Sequence, residues 1–456
     1  MITRTIKEVQ EMIPDSTLQG DTEVIIKGVS IDTRTIEEGN LFVPIKGEKF
    51  NGHEFVQKAI ESGASATLWN RNEPNMPENI PVLLVEDTLT ALQQLSKQYR
   101  DQLGVKVVGV TGSNGKTTTK DMIFSVLSTS YQVLKTEGNF NNHIGLPLTM
   151  LRLTEETEIA ILEMGMSSRG EIELLSQLAA PHVAVITNIG ESHLLDLGSR
   201  DGIAEAKLEI ISGLQEEGLL IYNGDEPLLT SRVEKMAIKT VTFGKTSDVD
   251  LHPLTIEQQK QSTLFTISQA PDVTYEIPVL GVHNVHNALA AIAVGRFFNI
   301  PFSTIAEGLN TLRLTNMRME MIPSHKGFDI INDAYNASPT SMKAAISLLE
   351  DLKGYGQKFI VLGDMLELGA QEKSFHYEVG QIINPQKIDY VFTCGKLGLE
   401  IAKGAETTFE KGRVQHFGDK KQLVQHLAPL IQKGDVVLVK ASRGMRLEEV
   451  VEALKA

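Results

Sequence analysis

From Val105 onward the chain repeats one pattern, an apolar run that leads into Gly, Asn or Asp and then into residues at helical spacing. The runs are VKVVGV (105–110), YQVLKT (131–136), IAILEMG (159–165), VAVITNIG (183–190) and GLLIYNGD (218–225). Strands of this composition are buried on both faces, as in a parallel sheet covered by crossover helices. The alternation predicts an α/β fold whose ligands sit beyond the carboxyl ends of the strands. Residues 251–280 alternate like an antiparallel hairpin, and GVHNVHNALAAIAVGRFF begins an Ala-rich helix.

The chain has 456 residues, which at about 150 residues per domain predicts roughly three domains. Residues 1–100 mix apolar runs (Glu23–Val29, Asn40–Ile45, Ala66–Trp69, Val82–Val85) with helical stretches at His53–Ser62 and Thr88–Leu103, the pattern of a small α/β domain. A break near Thr311–Met321 precedes a second open α/β pattern, with strands near Phe328–Asn332, Lys358–Leu362, Tyr390–Thr393 and Val436–Lys440. The expected division is therefore 1–100, 101–313 and 314–456.

Composition narrows the partners. Hydrophobic residues at 41% and charged residues at 22% match an ordinary globular protein and exclude a disordered or fibrous chain. A formal net charge of −15 repels nucleic acid and an anionic membrane surface. A local cluster of cations and backbone N–H groups can still hold a small anionic substrate. The single cysteine, Cys394, excludes an intrachain disulfide and a Cys-rich zinc site and fits a reducing compartment. No stretch approaches the ~18 apolar residues of a membrane span, so a cytoplasmic monomer without membrane insertion is expected.

VKVVGV runs directly into TGSNGKTTTKDMIFSVL, a strand, a Gly-rich turn and a helix in that order. Gly112 and Gly115 let successive N–H groups of Ser113, Asn114 and Lys116 converge on phosphate oxygens, aided by the helix N-terminus. Lys116 would reach the β- and γ-phosphates, and the Thr117 hydroxyl, followed by Thr118, would ligate magnesium. The variant is G-x-x-G-K-T, since Val110 stands where the longer phosphate-loop pattern has Gly. The alternative is a Gly turn capping a helix beside a chance lysine. The flanking strand and helix favour ATP.

Other residues acquire meaning beside that loop. Glu163 closes IAILEMG, where a carboxylate can hold Mg²⁺ or cap the following helix. His193 in TNIGESHLLDLG follows another strand end. Lys207 in AEAKLEI reads as a solvent-facing helical lysine flanked by Glu205 and Glu209. Asn284 and Asn287 are either N-caps of the helix they open or readers of an adenine edge.

TGSNGKTTT, EMG, NIGESHL, AEAK, HNVHNALAA and the later Arg318 and Asp333, in this order, resemble the Mur ligase superfamily of ATP-dependent amide-forming enzymes, over essentially the whole chain. TEGNFNNHIGLPLTM (136–150), DAYNASPTS (333–341), GDMLELG (363–369) with His376, and VKASRG (439–444) resemble the branch that adds D-alanyl-D-alanine to UDP-N-acetylmuramoyl-tripeptide. The resemblance implies three domains: an N-terminal one for the UDP end, a central one for ATP and a C-terminal one that completes the site. It further implies that Glu163 and Thr117 bind one magnesium and that His193 and Lys207 serve a second, with Lys207 carbamylated. Asn284 and Asn287 would contact adenine, Asp333 the ribose, and Arg318 the terminal phosphate. Without the resemblance, Arg318 reads as a linker ion pair and Asp333 as a turn residue. On the muropeptide side Ser30, Asp32, Thr33 and Arg34 resemble the uridine-nucleotide region, and Asn139, Asn141 and Asn142 the sugar and peptide region. Tyr335, Asn336, Ser442 and Arg443 would face the dipeptide.

Two positions depart from the pattern: Met317 precedes Arg318 where many relatives have Gly, and Ala441 stands where Gly is common. The competing readings are another ligase of the superfamily, acting on a muramoyl dipeptide or on folate, and a nucleotide-dependent regulator that makes no amide bond.

Overall fold

The computed structural model describes residues 1–455. They gather into two compact units, one built from Met1–Thr111, Ser130–Ala184 and Glu209–Leu219, the other from Gly112–Thr129, Val185–Leu208 and Leu220 onward.

In the first unit a five-stranded sheet runs in the order Thr17–Gln19, Val82–Val85, Ala66–Asn70, Leu41–Phe42, Val29–Ser30. Its first pair is antiparallel and the rest are parallel. Phe42, Val56, Ala59, Trp69 and Val82 form a core on it. The helix Thr88–Leu103 starts where the Asp87 side chain accepts from the Thr90 N–H, and ends at Gly104 in the left-handed conformation. Its Ala91, Leu92, Leu95 and Tyr99 are buried. Farther on, Lys106–Thr111 and Val133–Lys135 flank Ile159–Glu163 in parallel, and every residue of the middle strand is buried. That is the doubly covered strand its apolar run predicts.

In the second unit the phosphate-loop helix Lys116–Leu127 packs on the Ala-rich helix Val282–Phe297. Small residues allow the approach, since a Cβ on Gly295 would lie 2.8 Å from Val126 Cγ1. Pro253–Gln258, Thr263–Ile267 and Ala270–Ile277 form an antiparallel meander, one strand more than the hairpin expected for 251–280. A six-stranded sheet follows in the order Glu320–Pro323, Asp329–Asp333, Val436–Lys440, Lys358–Leu362, Tyr390–Cys394, Val414–Phe417. It is parallel except for its first strand, and hydrophobic clusters cover it. The two edge strands Glu320–Pro323 and Val414–Phe417 escape the sequence pattern because they are half-buried and interrupted by polar residues. No helix among the described residues is long and apolar enough to cross a membrane.

Candidate active site

The phosphate loop is tied down by the segment Thr187–Asn188. The Ser113 N–H donates to the Asn188 carbonyl and the Asn114 N–H to Asn188 Oδ1, both at 3.0 Å. The Thr187 hydroxyl donates back to the Asn114 carbonyl at 2.5 Å. These bonds need close approach: Gly112 has φ 143°, and a Cβ there would lie 1.9 Å from Thr187 Oγ1. A Cβ on Gly115 would lie 2.6 Å from Asn287 Oδ1. Lys116 folds back so that Nζ donates to the Gly112 carbonyl at 2.8 Å. Ser113 Oγ and Asn114 Nδ2 are buried without a hydrogen-bond partner, polar atoms left for a ligand to satisfy.

Asn284 and Asn287 lie inside the helix Val282–Phe297, whose N-cap is Gly281, so neither is a cap. The Thr119 hydroxyl donates to Asn287 Oδ1 (3.2 Å), Asn287 Nδ2 to Asn284 Oδ1 (3.0 Å), and Asn284 Nδ2 to the Leu280 carbonyl (2.8 Å). The two amides therefore brace the phosphate-loop helix while lining a cavity of about 270 Å³ with Asn114, Thr118, Arg318 and Asp333.

Asp333 is the last residue of its strand, not a turn residue, and pairs in register with Lys440 at the end of the neighbouring parallel strand. Register puts both side chains on one face, and Lys440 Nζ donates to Asp333 Oδ2 at 2.5 Å and to the Asn336 carbonyl at 3.0 Å. Lys440 and His283 also line the cavity; both lie in motifs the sequence marks, VKASRG and HNVHNALAA, but neither is singled out there as a site residue. Burial above all pushes His283 down to about 4, with the Lys440 charge adding to it and the Asp333 charge opposing it. Among the described residues Arg318 forms no linker ion pair of the expected kind. Its Nη2 donates to Thr117 Oγ1 at 3.2 Å, and its guanidinium carbon lies 4.0 Å from the Tyr335 ring centroid.

His193 holds a left-handed backbone (φ 64°), with Nδ1 2.9 Å from Glu367 Oε2 at an ion-pair distance but without hydrogen-bond alignment. Burial lowers its pKa, and the charges of Lys116 and Lys207 lower it further. Lys207 corrects the solvent-facing reading, for it is 1% exposed. Glu205 and Glu209 beside it suggest an outer face, but the helix Arg200–Leu208 turns Lys207 inward with Ala204 and Leu208, its i−3 and i+1 neighbours.

The GDMLELG motif is braced from within. His376 Nε2 accepts from the Met365 N–H at 2.8 Å, and Asp364 Oδ1 accepts from the N–H groups of Leu397 and Gly398. The Ser442 hydroxyl accepts from the Leu366 N–H, Asn336 Oδ1 from the Ala337 N–H, and Arg443 donates to Glu448 and to the Met317 sulfur.

In the first unit Glu163 is buried at the end of its strand. Its Oε1 accepts from Asn141 Nδ2 (2.9 Å), and its N–H donates to Thr136 Oγ1 (3.0 Å), a residue the sequence places in a motif but not in the site. It does not cap the next helix, whose N-cap is Gly170. Asn142 Oδ1 accepts from the N–H groups of Ile144 and Gly145, a turn role, and the Asn139 carbonyl accepts from the Asn141 N–H. Arg34 grips Asp32 through both carboxylate oxygens, which holds that carboxyl down at about 2. Ser30 Oγ accepts from the Asp32 N–H, and Thr33, between Asp32 and Arg34 in the chain, is half-buried.

Magnesium prefers oxygen donors, keeps several waters and takes few protein ligands when it binds through substrate phosphates. The Thr117 hydroxyl in one unit and the buried Glu163 carboxylate in the other are each oxygen donors of that kind. Among the described residues no three His, Cys, Asp or Glu side chains gather as a self-sufficient metal set, and an ammonium at Lys207 cannot ligate.

Residues 25–100 match the catalytic domain of the Mur ligase family, 110–295 the Mur ligase middle domain and 317–443 the Mur ligase glutamate ligase domain. A UDP-N-acetylmuramoyl-tripeptide–D-alanyl-D-alanine ligase of Bacillus subtilis (strain 168) is 58% identical, covering 100% of this chain and 99% of its own. A crystal structure of MurF from Acinetobacter baumannii superposes with a TM-score of 0.91 at 31% identity, over 100% of this chain and 99% of its own. MurF ligase from Thermotoga maritima in complex with ADP gives 0.83 at 32% identity, over 94% and 97%. A phosphate loop braced by two asparagines thus sits in a chain whose likeness to these ligases runs from end to end, and the chain belongs to the Mur ligase family.

Proposed function

We propose that this chain joins D-alanyl-D-alanine to UDP-N-acetylmuramoyl-tripeptide, yielding UDP-N-acetylmuramoyl-pentapeptide, ADP and phosphate, a step in making peptidoglycan precursors. The observation that carries this is the 58% identity, over the whole chain, to the Bacillus subtilis ligase of that name.

A carboxylate and an amine do not condense unaided in water. The γ-phosphoryl group of ATP passes first to the terminal carboxylate of the tripeptide, forming an O–P bond as the bond to ADP breaks. The dipeptide amine then attacks the acyl carbon; the C–N bond forms, phosphate leaves and the amine loses a proton. Lys116 and Arg318 offset charge on the phosphoryl group in flight. Asn284 and Asn287 stand on the adenine side and Asp333 on the ribose side. Thr117 and Glu163 would each offer an oxygen donor to Mg²⁺, whose chemistry there would be to neutralise phosphate charge. His193 and Lys207 serve a second metal site, with Lys207 carried as its carbamate; activity that rises with added bicarbonate supports that part, and insensitivity to it counts against it. Ser30, Asp32, Thr33, Arg34, Asn139, Asn141 and Asn142 serve the UDP-muropeptide, and Asn336, Ser442 and Arg443 the dipeptide side. The working division is 1–100, 101–313 and 314–456, in a cytoplasmic monomer.

The test is phosphate release by the purified protein with Mg-ATP and UDP-N-acetylmuramoyl-tripeptide, with and without D-alanyl-D-alanine, followed by product mass. Release that depends on the dipeptide and a pentapeptide product are expected. Release independent of the dipeptide overturns the assignment.

A further inference from the structure

Arg318 stands on an arch that regular secondary structure does not support. It lies between Met317 (φ 62°) and Met319 (φ 51°), both left-handed, a conformation that costs a residue with a Cβ. Three carboxylates pin this arch. Asp121 Oδ2 accepts from the N–H and the hydroxyl of Thr315, both at 2.9 Å; Glu320 Oε2 accepts from the Met317 N–H at 2.9 Å; and Asp333 Oδ1 accepts from the Met319 N–H at 3.2 Å. The backbone is held, but the long side chain still has rotatable bonds to settle. Its guanidinium lies 4.0 Å from the Tyr335 ring centroid, well inside the ~6 Å reach of a cation–π contact. A guanidinium stacked on a ring keeps its N–H donors in plane and open to an anion, whereas a salt bridge would consume them. Arg318 Nε is buried without a hydrogen-bond partner, and the residue lines the cavity beside the phosphate loop.

We propose that Tyr335 is the positioning residue of Arg318, its ring holding the guanidinium so that the N–H edge faces the terminal phosphate of ATP. The inference rests on the reading of Arg318 given above and assigns the work to the ring face, whereas a dipeptide contact would use the hydroxyl. Removing the ring leaves the guanidinium tethered only by its bond to the Thr117 hydroxyl and slows turnover; removing the Tyr335 hydroxyl alone does not.

Spectra of the full-length protein labelled with ¹⁵N-arginine test the stacking without reference to activity. The Nε–H resonance absent from Arg318→Lys is that of Arg318. It is expected to be displaced by the ring current in the parent and in Tyr335→Phe, and to move to the position of unstacked arginines in Tyr335→Leu. In the ligase assay Tyr335→Leu should lower kcat about tenfold while KM for D-alanyl-D-alanine stays within about twofold, and Tyr335→Phe should recover most of that loss. Tyr335→Gln repeats the deletion if the leucine variant misfolds. An Arg318 resonance that Tyr335→Leu leaves unmoved overturns the proposal, as does a Tyr335→Phe enzyme whose defect is a raised dipeptide KM. A parent protein without dipeptide-dependent phosphate release refutes the ligase reading instead, and the resonance still decides the stacking.

Discussion

The phosphate loop and the arch around Arg318 solve the same problem, presenting a cation or an N–H to phosphate from irregular backbone, by opposite means. In the loop the unusual φ angles fall on glycines, Gly112 at 143° and Gly115 at 79°, where no Cβ opposes them. In the arch they fall on Met317 and Met319 at 62° and 51°, and carboxylates from elsewhere hold them, Asp121 being 194 residues before Thr315. The loop's backbone angles are ones its own glycines permit, with Thr187 and Asn188 then tying it down; the arch's are imposed on residues that resist them. Met317 thus occupies, with a side chain, a left-handed position that glycine would take without strain.

The contrast can be broken from either side. The largest effect is expected on the arch, from Lys440→Met. The buried Asp333 carboxylate, still holding the Met319 N–H, would lose its counter-charge, lowering stability by about 3 kcal/mol in urea unfolding; Asp333→Asn in the same chain should return part of that loss. On the loop, Gly112→Ala drives a Cβ to 1.9 Å from Thr187 Oγ1 at φ 143°. The expected cost is about 2 kcal/mol, seen as a lower melting temperature and a weaker thermal shift with Mg-ATP.

A smaller effect follows from His283, which lines the same cavity as Asp333 and Lys440. Burial depresses its folded-state pKa to about 4 from 6.5. Between those values the unfolded chain binds a proton that the folded chain refuses, so stability is full above 6.5 and falls as pH drops toward 4. His283→Gln should flatten the melting temperature over that window; an unchanged slope would place the acid sensitivity elsewhere. The smallest change is Met317→Gly. Relief of the left-handed strain slightly exceeds the entropy glycine adds to the unfolded chain, for a gain of up to about 1 kcal/mol. A loss of that size would mean that the thioether on Arg443 outweighs the strain.

The same contrast explains how much was legible in the sequence. The strands Lys106–Thr111, Ile159–Glu163 and Val436–Lys440 announce themselves because parallel strands covered on both faces are uninterrupted apolar runs. The edge strand Glu320–Pro323 does not, because its half-burial is decided by a neighbour. Lys207 reads as a surface lysine from its glutamate neighbours, yet it is buried; residues two before and two after lie on the opposite face of a helix, so the glutamates' exposure says nothing of Lys207. Asn284 and Asn287 were legible as a pair but not as the brace between two helices, since their partner Thr119 is 168 residues from Asn287.

What the sequence determined by itself was whatever depends on neighbours along the chain: the order of strands and helices, the phosphate loop with its glycines, and, through motif order, the family. What only the tertiary structure decided was whatever depends on neighbours across it. That set comprises the Asp333–Lys440 register, the carboxylates that hold Arg318 between two left-handed methionines, the ring of Tyr335 beneath its guanidinium, and the burial of Lys207. The physical reason is that backbone preference and hydrophobic period are written within a few residues, whereas charge pairing and burial exist only once distant segments have met.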